Sequence, residues 1–234
     1  MSFIIPSGTP PEITIVLTTA RDGLDFSRSP ENNHAAAYGV VKNKFGVDVI
    51  TLKQMHSALI REVSLQTAAQ VQDSVADGLF TTETGIAIGI LTADCYPVFL
   101  VGERGVCALH CGWRGTVSGI VNKSAAFFDK VGDMPKYAYI GYGISNGEFI
   151  VQQDFIGRLS EKDLAYLSQM STDCGEARYN FDLLGKICAD ISALGVQNIV
   201  SLGRCTVKDT NFYSHRRDKT QKRMLSFIFK GKSL

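Results

Sequence analysis

The chain has 234 residues, 45% of them hydrophobic and 20% charged. That balance belongs to a globular protein with a substantial core and excludes intrinsic disorder as the main state. Lys plus Arg number 24 against 23 Asp plus Glu, so a formal net charge of +1 gives no whole-molecule field to gather nucleic acid or an anionic membrane. The average conceals a split. From Ser201 onward nine basic residues (Arg204, Lys208, Arg216, Arg217, Lys219, Lys222, Arg223, Lys230, Lys232) face only Asp209 and Asp218, a local +7, and the preceding 200 residues carry −6.

In chain order, MSFIIPSGTPPEITIV lacks a basic n-region and a small-residue cleavage site, so no signal peptide is expected. Alternation over Glu12–Thr19 predicts a strand, Asn32–Phe45 a helix stopped by Gly46, and Val47–Gln54 a strand. Leu59–Val63, Gly78–Thr82, Ile86–Thr92, Val98–Val101 and Val106–His110 follow as closely spaced strands. Helices are expected over Thr116–Val131, after the turn CGWRG, and over Leu183–Leu194, closed by Gly195. Lys136–Gly141, Glu148–Gln152, Asn198–Gly203 and Arg223–Phe229 read as strands, Asp154–Gln169 as a surface helix and Ser171–Tyr179 as a loop. The most apolar stretch, Ile86–Val101, is interrupted by Thr92, Asp94 and Pro97, short of the roughly 20 residues of a spanning helix. One mixed α/β domain over residues 1–234, cytoplasmic and with reduced thiols, is the economical expectation.

His56, Cys95 and His110 all fall at predicted strand ends, where side chains converge at a sheet rim. Two imidazoles and a thiolate suit an open Zn²⁺ site with its fourth position left for water or substrate. Cys95 with His110 suits a nucleophile and its base. A buried Cys with two hydrogen-bonded core histidines is the plain alternative. His34, beside Asn32 and Asn33, reads as an exposed residue of a helix start. Strand alternation turns Cys107 and Leu109 away from His110, and Cys107, Cys174, Cys188 and Cys205 read as packing residues, while the direction of Cys111 stays open. Asp77 or Asp94 could orient a metal-bound histidine or polarise a water, and the Asp of ADG equally suits plain turn chemistry. Arg114, in the turn that opens a helix, is either a phosphate or carboxylate ligand or a salt-bridge partner in a tight turn, and Trp113 is either core or an aromatic wall for a ring-shaped ligand. His215, Arg216 and Arg217 in YSHRRDKTQKR either close over an anionic substrate or form a solvated turn.

The segments LKQMHS, ADGLFTTETGIAIGILTADCYPVFL, ALHCGWRG, FDL and GRCT followed by FYSHRRD resemble, in order and spacing, the YfiH/laccase-domain family, also called the multicopper polyphenol oxidoreductase or purine nucleoside phosphorylase family. The similarity runs from about residue 12 to 229. It implies a layered α/β/β/α sandwich with mixed sheets, shared with cysteine-hydrolase-like proteins, and makes His56, Cys95 and His110 the Zn²⁺ ligands. It also implies phosphorolysis of adenosine, inosine, guanosine and methylthioadenosine to free base and pentose 1-phosphate, with adenosine deamination as a second activity. Ser57 stands where the family usually has Gly, and Ile150 where many members carry Glu.

The leading expectation is a zinc enzyme acting on a purine nucleoside and phosphate, with Arg114 and Arg217 on the anion, Asp94 as a supporting carboxylate, and a homodimer as one assembly open to it. Copper is the other candidate metal. A multicopper laccase, however, would need roughly ten His ligands, and the chain has four His. A Cys95–His110 hydrolase or amidase acting on a peptidoglycan precursor is the remaining alternative.

Overall fold

Short, nearly continuous apolar runs, buried on both faces, build the two sheets that dominate the computed structural model, which describes residues 3–170 and 177–231. In chain order the elements are β1 (Ile13–Leu17), α1 (His34–Phe45), β2 (Val49–Ile50), β3 (Ile60–Glu62), α2 (Ala68–Val71), β4 (Gly78–Thr81), β5 (Ala87–Thr92), β6 (Tyr96–Val101) and β7 (Val106–Cys111). There follow α3 (Trp113–Val117), α4 (Ile120–Lys130), β8 (Tyr137–Ile140), β9 (Ile150–Gln152), α5 (Gln153–Ile156), α6 (Glu161–Leu164) and β10 (Leu167–Gln169). The chain continues with β11 (Arg178–Phe181), α7 (Leu183–Ala193), β12 (Asn198–Ser201), α8 (His215–Asp218) and β13 (Met224–Lys230).

One sheet has the order β1-β13-β5-β2 and the other β12-β8-β6-β7-β4-β3, both mixing parallel and antiparallel pairs. Side-chain parity sorts their strands into three cores. Ile88, Ile90 and Ile228 of the first sheet meet Phe99, Val106 and Ala108 of the second in a core between the sheets. Ala87, Leu91, Leu225 and Phe227 point outward onto Ala37, Val41 and Phe45 of α1. Val98, Leu100, Cys107 and Leu109 point outward onto Ile120, Val121 and Phe128 of α4 and Leu183 and Ile187 of α7. The expected α/β/β/α layering results, with each fully buried Ile, Leu or Phe stabilising it by about 1.5–3 kcal/mol. Among the described residues no helix is long and apolar enough to cross a membrane.

The expected helix over Thr116–Val131 is two helices that start at Trp113, because Gly119 adopts φ 77° and breaks the ladder. Asp154–Gln169 is likewise not one helix. Ser160 ends the first turn and donates from its N–H and hydroxyl to the Asp163 carboxylate, which opens α6, and the last residues form β10. The expected loop over Ser171–Tyr179 lies largely outside the described residues, as does Cys174, and its last two positions belong to β11, the centre of a small sheet ordered β10-β11-β9.

Candidate metal centre

His110 sits on β7 with the parity of Ala108, so its ring lies on the inter-sheet side at the strand end, while Cys107, Leu109 and Cys111 enter the outer core. Pairing of β6 with β7 places Pro97 opposite His110 and Tyr96 opposite Cys111, which brings Cys95, one residue before β6, to the same rim. His56 arrives from a loop. Its backbone has φ 60°, a left-handed conformation uncommon for a residue with a Cβ. The buried Asp77 carboxylate holds it there by accepting from the N–H groups of Met55 (3.1 Å), His56 (2.9 Å) and Ser57 (2.7 Å) and from the Ser57 hydroxyl (2.6 Å). Asp77 Oδ1 also accepts from His110 Nδ1 at 2.8 Å, which leaves the Nε2 lone pair of His110 for another partner.

The ligand atoms of His56, Cys95 and His110 all lie within 4.8 Å of one another, and Cys95 Sγ is 3.8 Å from His56 Nε2. A tetrahedral zinc ion separates its nitrogen and sulfur ligands by about 3.3 to 3.6 Å. The set therefore fits a metal with three protein donors and an open fourth position. It is the sole such cluster among the described residues. Burial opposes a charged thiolate at Cys95, but His110 and His56 outweigh it and bring the thiol down to about 6. Burial likewise disfavours an imidazolium at His110, and the Cys95 thiolate and the Asp77 carboxylate reverse this to about 9. Desolvation of Asp77 is overcome by hydrogen bonds from His110 and Ser57, which hold its carboxyl near 2. Cys107 and Cys111 are pushed the other way by burial and stay thiols.

Gly112 is required by contact rather than by torsion. A Cβ there would stand 2.8 Å from Cys95 Sγ and 2.9 Å from His56 Cδ2. Three clefts adjoin around this rim. The first, about 490 Å³, is lined by all three donors together with Lys53, Thr92 and Arg223. Thr92 Oγ1 is buried and has no hydrogen-bond partner among the described residues. The second shares His56, Ala93 and Cys95 with the first and adds Trp113, Phe149 and His215. The third shares Trp113, Phe149 and Arg216 with the second and adds Arg114, Arg158 and Arg178.

The structure thus brings His56, Cys95 and His110 together with Asp77 behind them. Asp94 lines the second cleft, but its carboxylate accepts from Thr206 Oγ1 and from Arg216 N, both at 2.7 Å, and so ties the basic turn to the rim. Arg114 stacks on Trp113, 4.4 Å from the ring centroid, in the third cleft rather than beside the three donors. Arg217 is not brought into the set. Its guanidinium donates to the carbonyls of Thr206, Val207 and Phe212 and to the Asp218 carboxylate. Arg223 occupies the rim in its place; its sequence signal was only its position just before β13 inside the basic segment.

A layered α/β fold in which two imidazoles and one thiolate converge at a strand-end rim defines a laccase-domain protein. The chain belongs to the multi-copper polyphenol oxidoreductase laccase family, whose model matches residues 25–230. A purine nucleoside phosphorylase of Corynebacterium glutamicum is 28% identical over 185 residues, 77% of this chain and 74% of that protein. The purine nucleoside phosphorylase YfiH of Escherichia coli K12 is 29% identical over 189 residues, 77% and 73% of the two chains. Among solved structures, a Neisseria meningitidis protein has a TM-score of 0.84 at 24% identity, covering 99% of this chain and 100% of that one. YlmD from Geobacillus stearothermophilus has a TM-score of 0.78 at 23% identity, covering 99% and 97%.

Proposed function

We propose that the protein is a zinc-dependent purine nucleoside phosphorylase, with the metal held by His56, Cys95 and His110. The observation that carries this reading is the position of the three donors. They line a cleft with basic side chains, and His56 and Cys95 also line one with aromatic walls. A phosphate and a purine thus find suitable surfaces on either side of one metal site. The names of the relatives support the same reading.

In the proposed reaction a phosphate oxygen bonds to C1′ of the pentose while the C1′–N9 bond breaks, its electron pair leaving with the base, which then takes up a proton. Lys53 and Arg223 hold the phosphate by charge and hydrogen bonding. Trp113 and Phe149 flank the purine ring. Asp94 fixes the turn that carries Arg216. A bound zinc ion would supply Lewis acidity and a water of lowered pKa, the basis on which adenosine deamination is proposed as a second activity of the same rim.

The test is hypoxanthine release from inosine by the zinc-loaded protein. Release that requires phosphate and disappears in His110→Ala is expected, and no release with phosphate present would reject the reading. Ammonia release from adenosine tests the deaminase activity separately.

A second reading rests on the Asp77–His110–Cys95 relay, in which a lowered thiol, a neighbouring imidazole and an orienting carboxylate follow the logic of a nucleophile triad. It gives no role to His56, the third donor. Retention of activity in a metal-stripped protein, with loss on Cys95 alkylation, would favour this hydrolase over the zinc enzyme.

A further inference from the structure

The third cleft holds more positive charge than phosphorolysis requires. Arg114, Arg158, Arg178 and Arg216 line it against a single carboxylate, Asp154, which already pairs with Arg158 at 3.3 Å. That pair is exposed at both ends and contributes little. Arg114 is positioned by the Trp113 ring face. Arg216 lies over Phe149, 5.4 Å from its centroid, and donates Nη1 to the carbonyls of Glu148 and Ile150. Ring stacking and backbone carbonyls restrain these two guanidiniums without neutralising them. Like charges gathered around one concavity repel, and a bound anion relieves the repulsion.

The reaction proposed above consumes one phosphate, for which Lys53 and Arg223 are available beside all three donors. The four arginines belong to a separate cleft that meets the metal rim only through the second one, across Trp113, Phe149 and Arg216. We infer that this arginine cleft is a second anion site that binds the phosphate group of an organic phosphate monoester. The phosphate belongs either to a separate sugar phosphate or to a nucleotide reaching across from the second cleft. Binding at this cleft does not depend on turnover, so a separate sugar phosphate would bind whether or not the phosphorylase reading holds, while the nucleotide arm rests on that reading's placement of the purine in the second cleft.

The experiment measures ribose 5-phosphate and inosine 5′-monophosphate binding to the full-length zinc-loaded protein by calorimetry at 150 mM salt. The wild type is compared with the double variant Arg158→Gln/Arg178→Gln and with Arg223→Gln, which alters only the first cleft. Each guanidinium replaced removes a charge-assisted hydrogen bond to the phosphate, so the double variant is expected to bind at least about tenfold more weakly. Arg223→Gln keeps the affinity for ribose 5-phosphate. Ribose 5-phosphate that binds additively with inosine marks a separate ligand. Inosine 5′-monophosphate that binds at least tenfold more tightly than inosine, with that advantage lost in the double variant, marks the nucleotide's own phosphate. Failure of both phosphates to bind, or undiminished binding in the double variant with an unchanged near-ultraviolet circular dichroism spectrum, would overturn the site.

Discussion

Asp77 Oδ1 accepts from His110 Nδ1 at 2.8 Å, and the same carboxylate gathers the backbone N–H groups of the His56 loop. One buried side chain therefore positions two of the three proposed metal donors. Asp77→Asn keeps the shape but removes the charge and one acceptor, so zinc affinity should fall about 10- to 100-fold. Its effect on stability has a definite sign. The folded pKa of Asp77 is depressed from 3.8 to about 2, so its contribution is fully present above pH 3.8 and is lost as pH falls through 2. Acid unfolding of the metal-free wild type should show that loss, and Asp77→Asn should not. Equal zinc affinities by chelator competition would show that the carboxylate does not orient the donors.

Gly112 gives a second, steric test of the same rim. In Gly112→Ala the new methyl group meets Cys95 Sγ and His56 Cδ2, at 2.8 and 2.9 Å, rather than another backbone. Both are side-chain atoms that can swing aside, so the fold should survive while the donor geometry does not. Zinc affinity is expected to drop by at least tenfold, with the melting temperature of the metal-free protein changed by only a few degrees. A variant that binds zinc like the wild type would mean that the rim is looser than these contacts indicate.

The strands were legible as short apolar runs, while their layering into two sheets followed only from the family resemblance. The parity of Cys107, Leu109 and His110 on β7 follows from the strand's sequence alone, and the structure keeps it. The His56 loop was not legible in the same way. No periodicity marks it, and its conformation depends on a carboxylate 21 residues further along the chain. Short helices were overextended for a related reason. The breaks at Gly119 and Ser160 arise from single-residue backbone chemistry that a hydrophobic pattern passes over. Arg216 and Arg217 were indistinguishable in sequence, since only the carbonyls that surround Arg217 reveal which of the two is committed to the fold.

Thiol chemistry should separate Cys95 from its buried neighbours. In the metal-free protein the Cys95 thiol is drawn to about 6 while His110 is raised to about 9, so between those values the pair exists as thiolate and imidazolium. Iodoacetamide alkylation of Cys95 should therefore rise through pH 6 and level off by neutrality, where an ordinary thiol would still be climbing. Cys107 and Cys111, buried and shifted upward, should remain unmodified in the folded protein. One equivalent of zinc should protect Cys95. Peptide mass mapping of the alkylated chain reads all three outcomes, and a pH midpoint near 9 at Cys95 would refute the thiolate assignment.

Arg217 and Arg223 should fail in opposite ways when replaced. The Arg217 guanidinium donates to four backbone carbonyls, those of Thr206, Val207, Asp209 and Phe212, that bracket the turn before α8, and charge-assisted bonds of this kind contribute about 1.5–3 kcal/mol each. Arg217→Ala leaves those carbonyls without their donor, so the melting temperature should fall by several degrees while KM for phosphate changes little. The Arg223 guanidinium donates to the carbonyls of Thr220 and Lys222 beside it, while its backbone N–H donates to Asp25 Oδ1, and the residue lines the cleft shared by His56, Cys95 and His110. Arg223→Gln should therefore raise KM for phosphate about tenfold or more, with KM for inosine nearly unchanged and stability close to wild type. Steady-state kinetics with each substrate varied in turn, set beside thermal unfolding of both variants, decides the matter. If Arg217→Ala carries the phosphate defect and Arg223→Gln does not, the anion is held by the turn and not by the rim of the first cleft.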